Sequence, residues 1–270
     1  MPYLTSEDDV FLHYTDEGKG NTIFLIHGWM VNHKFFKDNI IELSKTHRVV
    51  TLDLRGHGYS WSRPRTCNLP HAARDVRRVI EHLDLDDVTI AGWSMGAAVI
   101  FNYFDLFGGE KLKGAVYIDM TPCILKLDGW EHALFGSLDW RMAVKMQRDI
   151  LVDRLTFASR TVSACFKGGK CPDKATLEWG VAESMLTSTE VTLEYWTSLL
   201  NQDWRTQLSE TPVPVLLTYG AKSAVYPTAL GEALHRMIPS SRLVMFNDSG
   251  HSPFIEEPER WNAEVVRFAG

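Results

Sequence analysis

The stretch Val88-Thr89-Ile90-Ala91-Gly92-Trp93-Ser94-Met95-Gly96-Ala97-Ala98-Val99-Ile100-Phe101 sets a G-x-S-x-G motif between an apolar, β-branched run and a helix-compatible one. Strand, tight turn and helix in that order are the setting in which this motif lifts a serine hydroxyl clear of the backbone. The flanking glycines relieve the crowding that such a turn creates. Ser94 is therefore the candidate nucleophile.

On either side lie further short apolar runs, at Thr22 to Ile26, Arg48 to Leu52, Ala115 to Ile118, Val213 to Tyr219 and Arg242 to Phe246, most of them followed by Gly, Asp or His. Nearly continuous apolar runs of this length suit strands buried on both faces, as in a parallel sheet. Between them, Pro70 to Leu83 carries Val76, Val79, Ile80 and Leu83 at helical spacing. Strand alternating with helix predicts an α/β fold. The rhythm breaks between Thr121 and about Glu210, where Trp130, Trp140, Trp179, Trp196 and Trp204 fall among short helical patterns without an alternating strand. The predicted organisation is a core in two parts, 1–120 and 211–270, with a helical cap inserted at 121–210; Pro212 and Pro214 mark the return to the core.

Two other motifs follow predicted strands and so sit where a doubly wound sheet opens its crevice. His27-Gly28-Trp29-Met30 comes after the early strand. Acyl transfer builds negative charge on a carbonyl oxygen, and preorganised backbone N–H groups stabilise it, each typically by roughly 2.7 to 4 kcal/mol. The N–H groups of Trp29 and Met95 are the candidates. Asn247-Asp248-Ser249-Gly250-His251-Ser252-Pro253-Phe254 lies late in the chain after a predicted strand. A serine hydroxyl is a poor nucleophile until a neighbouring base takes its proton, and neutral imidazole suits that task. His251 is the candidate base. The loop Asp53-Leu54-Arg55-Gly56-His57-Gly58-Tyr59-Ser60 reads instead as turns held by charges.

Composition narrows the function classes. The 270 residues carry 28 Lys+Arg against 34 Asp+Glu, a formal charge of −6, whereas a nucleic-acid binder usually shows a basic patch. No uncharged run reaches the roughly 20 apolar residues that span a bilayer. Cys67, Cys123, Cys165 and Cys171 form no C-x-x-C pair, so a metal site built on them is not expected. The amino-terminal residues have neither the basic start nor the apolar stretch of a secretory signal, which predicts a cytoplasmic protein with reduced thiols.

Taken in chain order, His-Gly-Trp, Asp-Leu-Arg-Gly-His-Gly-Tyr-Ser, Gly-Trp-Ser-Met-Gly and Ser-Gly-His-Ser-Pro-Phe-Ile-Glu-Glu-Pro-Glu-Arg-Trp resemble the α/β-hydrolase superfamily across nearly the whole chain, from Phe24 to Trp261. Within it the sequence is similar to the capped small-molecule esterases and the cofactor-free non-haem chloroperoxidases. The resemblance implies a mostly parallel eight-stranded sheet, a helical cap, and a Ser, acid, His triad without metal or cofactor. The sequence departs from the common pattern at the acid. Many members place an Asp in a Gly-x-x-Asp turn after the strand that follows the cap, and here that turn reads Gly220-Ala221-Lys222-Ser223. Some relatives, haloalkane dehalogenases among them, carry the carboxylate after the strand preceding the cap. Asp119 fits that place, and the order Ser94, Asp119, His251 keeps the chain order of the fold. A Ser94-His251 dyad, a structural Asp119 and a different acid such as Asp248 are the alternatives.

These readings predict a serine hydrolase acting on a small to medium apolar carboxylic ester, with lactones and thioesters open, and with Trp29 and Trp93 beside the substrate. The expected partner is a small acyl compound, with neither nucleic acid nor membrane; oligomeric state is not readable. Serine at position 94 speaks against the alkyl-enzyme chemistry of dehalogenases and epoxide hydrolases. A weakly catalytic ligand receptor on the same fold and a cofactor-independent oxygenase are the rival expectations.

Overall fold

A computed structural model describes residues 2–6, 8–61 and 66–270; Met1 and Glu7, part of the amino-terminal stretch read above, fall outside them. Eight strands form one sheet: β1 (Tyr3–Thr5), β2 (Phe11–Gly18), β3 (Thr22–Ile26), β4 (Arg48–Leu52), β5 (Val88–Trp93), β6 (Leu112–Ile118), β7 (Val215–Gly220) and β8 (Ser241–Phe246). Their spatial order is β1-β2-β4-β3-β5-β6-β7-β8. Only the β1–β2 and β2–β4 pairs are antiparallel; from β4 to β8 every pairing is parallel.

Among the described residues, ten α-helices accompany the strands: α1 (Lys37–Leu43), α2 (Leu69–His82), α3 (Met95–Phe107), α4 (Trp140–Val152), α5 (Arg154–Ala164), α6 (Lys174–Ser184), α7 (Thr189–Leu200), α8 (Leu230–Met237), α9 (Pro253–Glu256) and α10 (Pro258–Ala269). The continuous apolar runs are explained by two cores, one on each face. Phe24 and Ile26 of β3 join α2, α3 and α8, while Ile23 and Leu25 join α1 and α10. The same alternation holds in β6, where Tyr117 faces the first core and Val116 and Ile118 the second. Each such side chain, fully buried, contributes about 1.5–3 kcal/mol.

The central strands match the sequence expectation, with β5 running on to Trp93 and β6 starting earlier, at Leu112. The two amino-terminal strands were not anticipated. In β2 only Leu12, His13 and Tyr14 are buried and Asp16 to Gly18 are exposed, so it carries no two-sided apolar run. Between β6 and β7 lie α4 to α7 and no strand among the described residues. Within those residues, no helix is long and apolar enough to cross a membrane.

The order of the strands fixes where a site can form. From β3 the chain moves outward to β4, then returns to place β5 on the opposite side of β3. Such a switch point opens a crevice at the carboxyl ends of the two strands, which here carry His27-Gly28-Trp29 and Trp93-Ser94.

Candidate active site

Ser94 stands between β5 and α3 with φ 52° and ψ −121°, a conformation that costs a non-glycine residue about 1–3 kcal/mol. A serine at a helix start normally turns its oxygen back onto the first-turn N–H groups. Ser94 makes no such bond, because the positive φ swings its side chain away from the helix. The turn is possible because of two close approaches: a Cβ on Gly92 would fall 2.3 Å from the Gly96 carbonyl carbon, and one on Gly96 would fall 2.3 Å from the Ile26 oxygen. Met95 opens α3, so its N–H belongs to the first-turn donors that lack an intrahelical acceptor.

The candidate base arrives from the far end of the chain. His251 follows β8 on a loop braced by two carboxylates: Glu256 accepts from Gly250 N–H at 2.6 Å, and Glu257 from the Ser249 hydroxyl at 2.6 Å. Trp93 donates its indole N–H to the His251 carbonyl at 2.9 Å. Asp119 closes β6 with φ 44° and is buried. Its Oδ2 lies 2.6 Å from His251 Nδ1, across 132 residues of sequence. The second donor on that oxygen is the Ser223 hydroxyl, at 2.7 Å. Asp248, weighed as another acid, is instead exposed and paired with Lys222 at 2.7 Å.

Ser94 and His251 both face a cavity of about 340 Å³, which also meets Trp29, Trp93 and Met95. Its walls are mainly apolar, with Met120 and Val225 from the core and Trp196 and Leu199 from α7. Trp29 stacks on Trp196 with ring centroids 5.2 Å apart. Cys165 borders the cavity too, but burial pushes its thiol up to about 12, so it is protonated and inert. Tyr226, which sequence reading passed over, lines the cavity with its ring 5.7 Å from that of His251. Burial and then the Asp119 carboxylate push its phenol well above its ordinary value. The group is thus a proton-bearing donor at neutral pH. No motif pointed to Tyr226, and Ser223 was met only as the residue in place of the Asp of the Gly-x-x-Asp turn.

The helices over the cavity are fastened to the loop after β3. Trp29 Nε1 donates to the Thr192 carbonyl at 3.0 Å, and the Thr187 hydroxyl to the Met30 carbonyl at 3.4 Å. Glu183 of α6 takes Asn32 Nδ2 at 2.8 Å and Lys34 Nζ at 3.0 Å.

His27 is structural rather than reactive. Its Nε2 accepts from Leu54 N–H at 3.0 Å and its Nδ1 donates to the Gly28 carbonyl at 2.7 Å. Burial pushes its imidazole down to about 4, and burial together with the neighbouring His27 ring pushes His57 down to about 3. The Asp53 loop is held as the sequence suggested. Arg55 grips Asp75 through two bonds of 2.6 Å. Burial alone would raise the Asp53 carboxyl, but the His13 and His33 imidazoles hold it well below the usual range. Among the described residues, His13, His33 and Asp53 are the group whose ligand atoms approach within 4.8 Å, as a metal site requires. The Asp53 carboxylate already accepts four N–H groups, from both imidazoles and from the His33 and Tyr59 backbones, so the cluster acts as a brace.

An eight-stranded, mainly parallel sheet with a serine elbow at its switch point defines an α/β hydrolase. The profile of the alpha/beta hydrolase fold family matches residues 21–258, and the chain belongs to that family. It is 29% identical over 273 residues to the AB hydrolase superfamily protein YisY of Bacillus subtilis, covering 99% of this chain and 98% of that one. It is 27% identical to the pimeloyl-[acyl-carrier protein] methyl ester esterase of Nitrosomonas europaea, covering 93% of this chain and 96% of the relative. In structure it is similar to an esterase from Exiguobacterium antarcticum, with a TM-score of 0.92, 24% identity, and coverage of 99% and 98% of the two chains.

Proposed function

We propose that the protein is a serine hydrolase that cleaves small to medium apolar carboxylic esters through an acyl-enzyme on Ser94. The observation that carries this reading is the meeting of Ser94 and His251 in one apolar cavity, with Asp119 Oδ2 2.6 Å from His251 Nδ1. Ser94 Oγ attacks the ester carbonyl while His251 Nε2 takes its proton. The oxyanion accepts from the N–H groups of Trp29 and Met95, and the imidazolium returns the proton to the leaving alcohol. Water then releases the acid, with His251 again as base. Asp119 holds the tautomer that leaves Nε2 free to accept.

Residues 121–210 act as a cap that closes the cavity and supplies Trp196 and Leu199 to the acyl chain. An ester substrate is supported by the methyl ester esterase among the relatives. The size of the acyl group is supported by a cavity of about 340 Å³ with mainly apolar walls.

The test is a rate profile over p-nitrophenyl esters of increasing acyl length, run beside Ser94→Ala and with active-site titration by an organophosphate. A Ser94-dependent burst followed by turnover is the expected result. Folded protein that neither turns over nor becomes phosphorylated would replace this reading with the ligand receptor.

A further inference from the structure

We infer that Ser223 is a positioning residue for the catalytic acid, an inference that rests on the Ser94, His251, Asp119 reading above. Ser223 lies just past β7, on a different strand connection from Asp119, and donates its hydroxyl proton to Asp119 Oδ2 at 2.7 Å. The direction of that donation is forced. The Ser223 oxygen accepts from Val225 N–H at 3.2 Å and from Tyr226 N–H at 3.3 Å, which occupies its lone pairs, and a carboxylate can only accept.

A chain of donors therefore converges on one carboxylate oxygen. Two backbone N–H groups point at Ser223 Oγ, its hydroxyl points at Asp119 Oδ2, and the His251 Nδ1–H points at the same atom from the other side, at 2.6 Å. Each bond in such a chain polarises the next. The carboxylate cannot turn about its own Cβ–Cγ bond without breaking the bond to Ser223, so the plane offered to the imidazole is fixed. The imidazole in turn is held through Nδ1, which on the proposed mechanism leaves Nε2 to Ser94. Ser223 touches neither the substrate nor the nucleophile; it acts through Asp119.

A turn-forming serine with no such role would also bond Val225 and Tyr226, so the experiment must isolate the link to Asp119. Ser223→Ala and Ser223→Thr are compared with the parent, alone and in an Asp119→Asn background, by kcat and KM on the best ester. Losing one hydrogen bond to a charged group predicts a fall in kcat of about 10- to 100-fold for Ser223→Ala, with KM little changed. Ser223→Thr keeps the hydroxyl and should keep most of the rate. In the Asp119→Asn background, Ser223→Ala should cost almost nothing further, because the group it positions is gone.

An unchanged kcat in Ser223→Ala overturns the inference, as does an equal loss in both backgrounds or an effect confined to KM. Equal losses in the Ala and Thr variants overturn it as well, since the hydroxyl would then not be what matters. Turnover that survives Ser94→Ala overturns the hydrolase reading and this inference with it. Ser94-dependent turnover that is indifferent to Ser223→Ala overturns this inference alone.

Discussion

The indole N–H of Trp93 ends 2.9 Å from the carbonyl oxygen of His251, so the residue before Ser94 ties down the backbone of the His251 loop. Trp93→Phe keeps most of the ring packing and removes the donor. Leaving a buried carbonyl without its partner should cost about 1–3 kcal/mol of stability. Urea unfolding checks this, and kcat on the preferred ester should fall with it as the His251 loop loosens. Parent-like stability and turnover together would show the tie to be idle.

Asp119→Asn should lower kcat by up to about 10⁴-fold with little change in KM, as loss of the orienting carboxylate does in a serine triad. Because Ser223 Oγ already lies 2.7 Å from the oxygen facing the imidazole, a carboxylate grown from that position should reach the same ring. The double variant Asp119→Asn, Ser223→Asp is therefore expected to recover at least part of the loss. Steady-state kinetics of the two proteins side by side decides the matter.

Stability should decline as pH falls below the ordinary histidine range. His27 and His57 are held neutral by burial, at about 4 and about 3 against an ordinary value of 6.5. Between those limits the unfolded chain binds the extra protons, so the contribution is full above pH 6.5 and is lost as pH falls toward 4 and 3. The limits are about 3 kcal/mol for His27 and about 5 kcal/mol for His57, the latter reached only near pH 3. The depressed Asp53 adds a loss of the same sign at still lower pH. Urea midpoints measured from pH 7 to pH 4 should slope downward; a flat line would mean that the two rings do not resist protonation.

Leu199→Ala should move the acyl preference to longer chains, because Leu199 borders the cavity from α7. Each further methylene accommodated is worth about 0.8 kcal/mol, or roughly fourfold in kcat/KM. The ester series reads the shift directly. A profile that does not change would put the acyl chain against another wall.

The parallel core was legible because strands buried on both faces leave continuous apolar runs. β3 and β4 could be bounded to the residue, since His27 and Asp53 end them abruptly. β2 was hidden for the converse reason: half of it faces solvent, and only its pairing with β4 makes it a strand. At the site, Ser94 and His251 announced themselves through Gly-containing motifs whose backbone demands are local. Asp119 could be nominated only by its place after a strand, because what an acid needs is a partner 132 residues away. Ser223 drew notice only as the residue standing where the resemblance places an Asp, with nothing to say that it would bond Asp119, and Tyr226 gave no signal at all. Their importance comes from which atoms the end of β7 brings beside β6, and no spacing in the sequence encodes that.

The bonds from Thr187, Thr192 and Glu183 all land on residues 29–34, the loop that includes Trp29. Cover and floor of the cavity are thereby interlocked: raising the helices to admit an ester or let an acid leave tugs on the strand exit that holds one of the proposed oxyanion donors. On the proposed mechanism, opening and disarming would then be a single event. On that mechanism Ser94 would be fully competent only with the helices down, and tightening the bridge between Glu183 and Lys34 should slow exchange of substrate and product before it touches the chemistry.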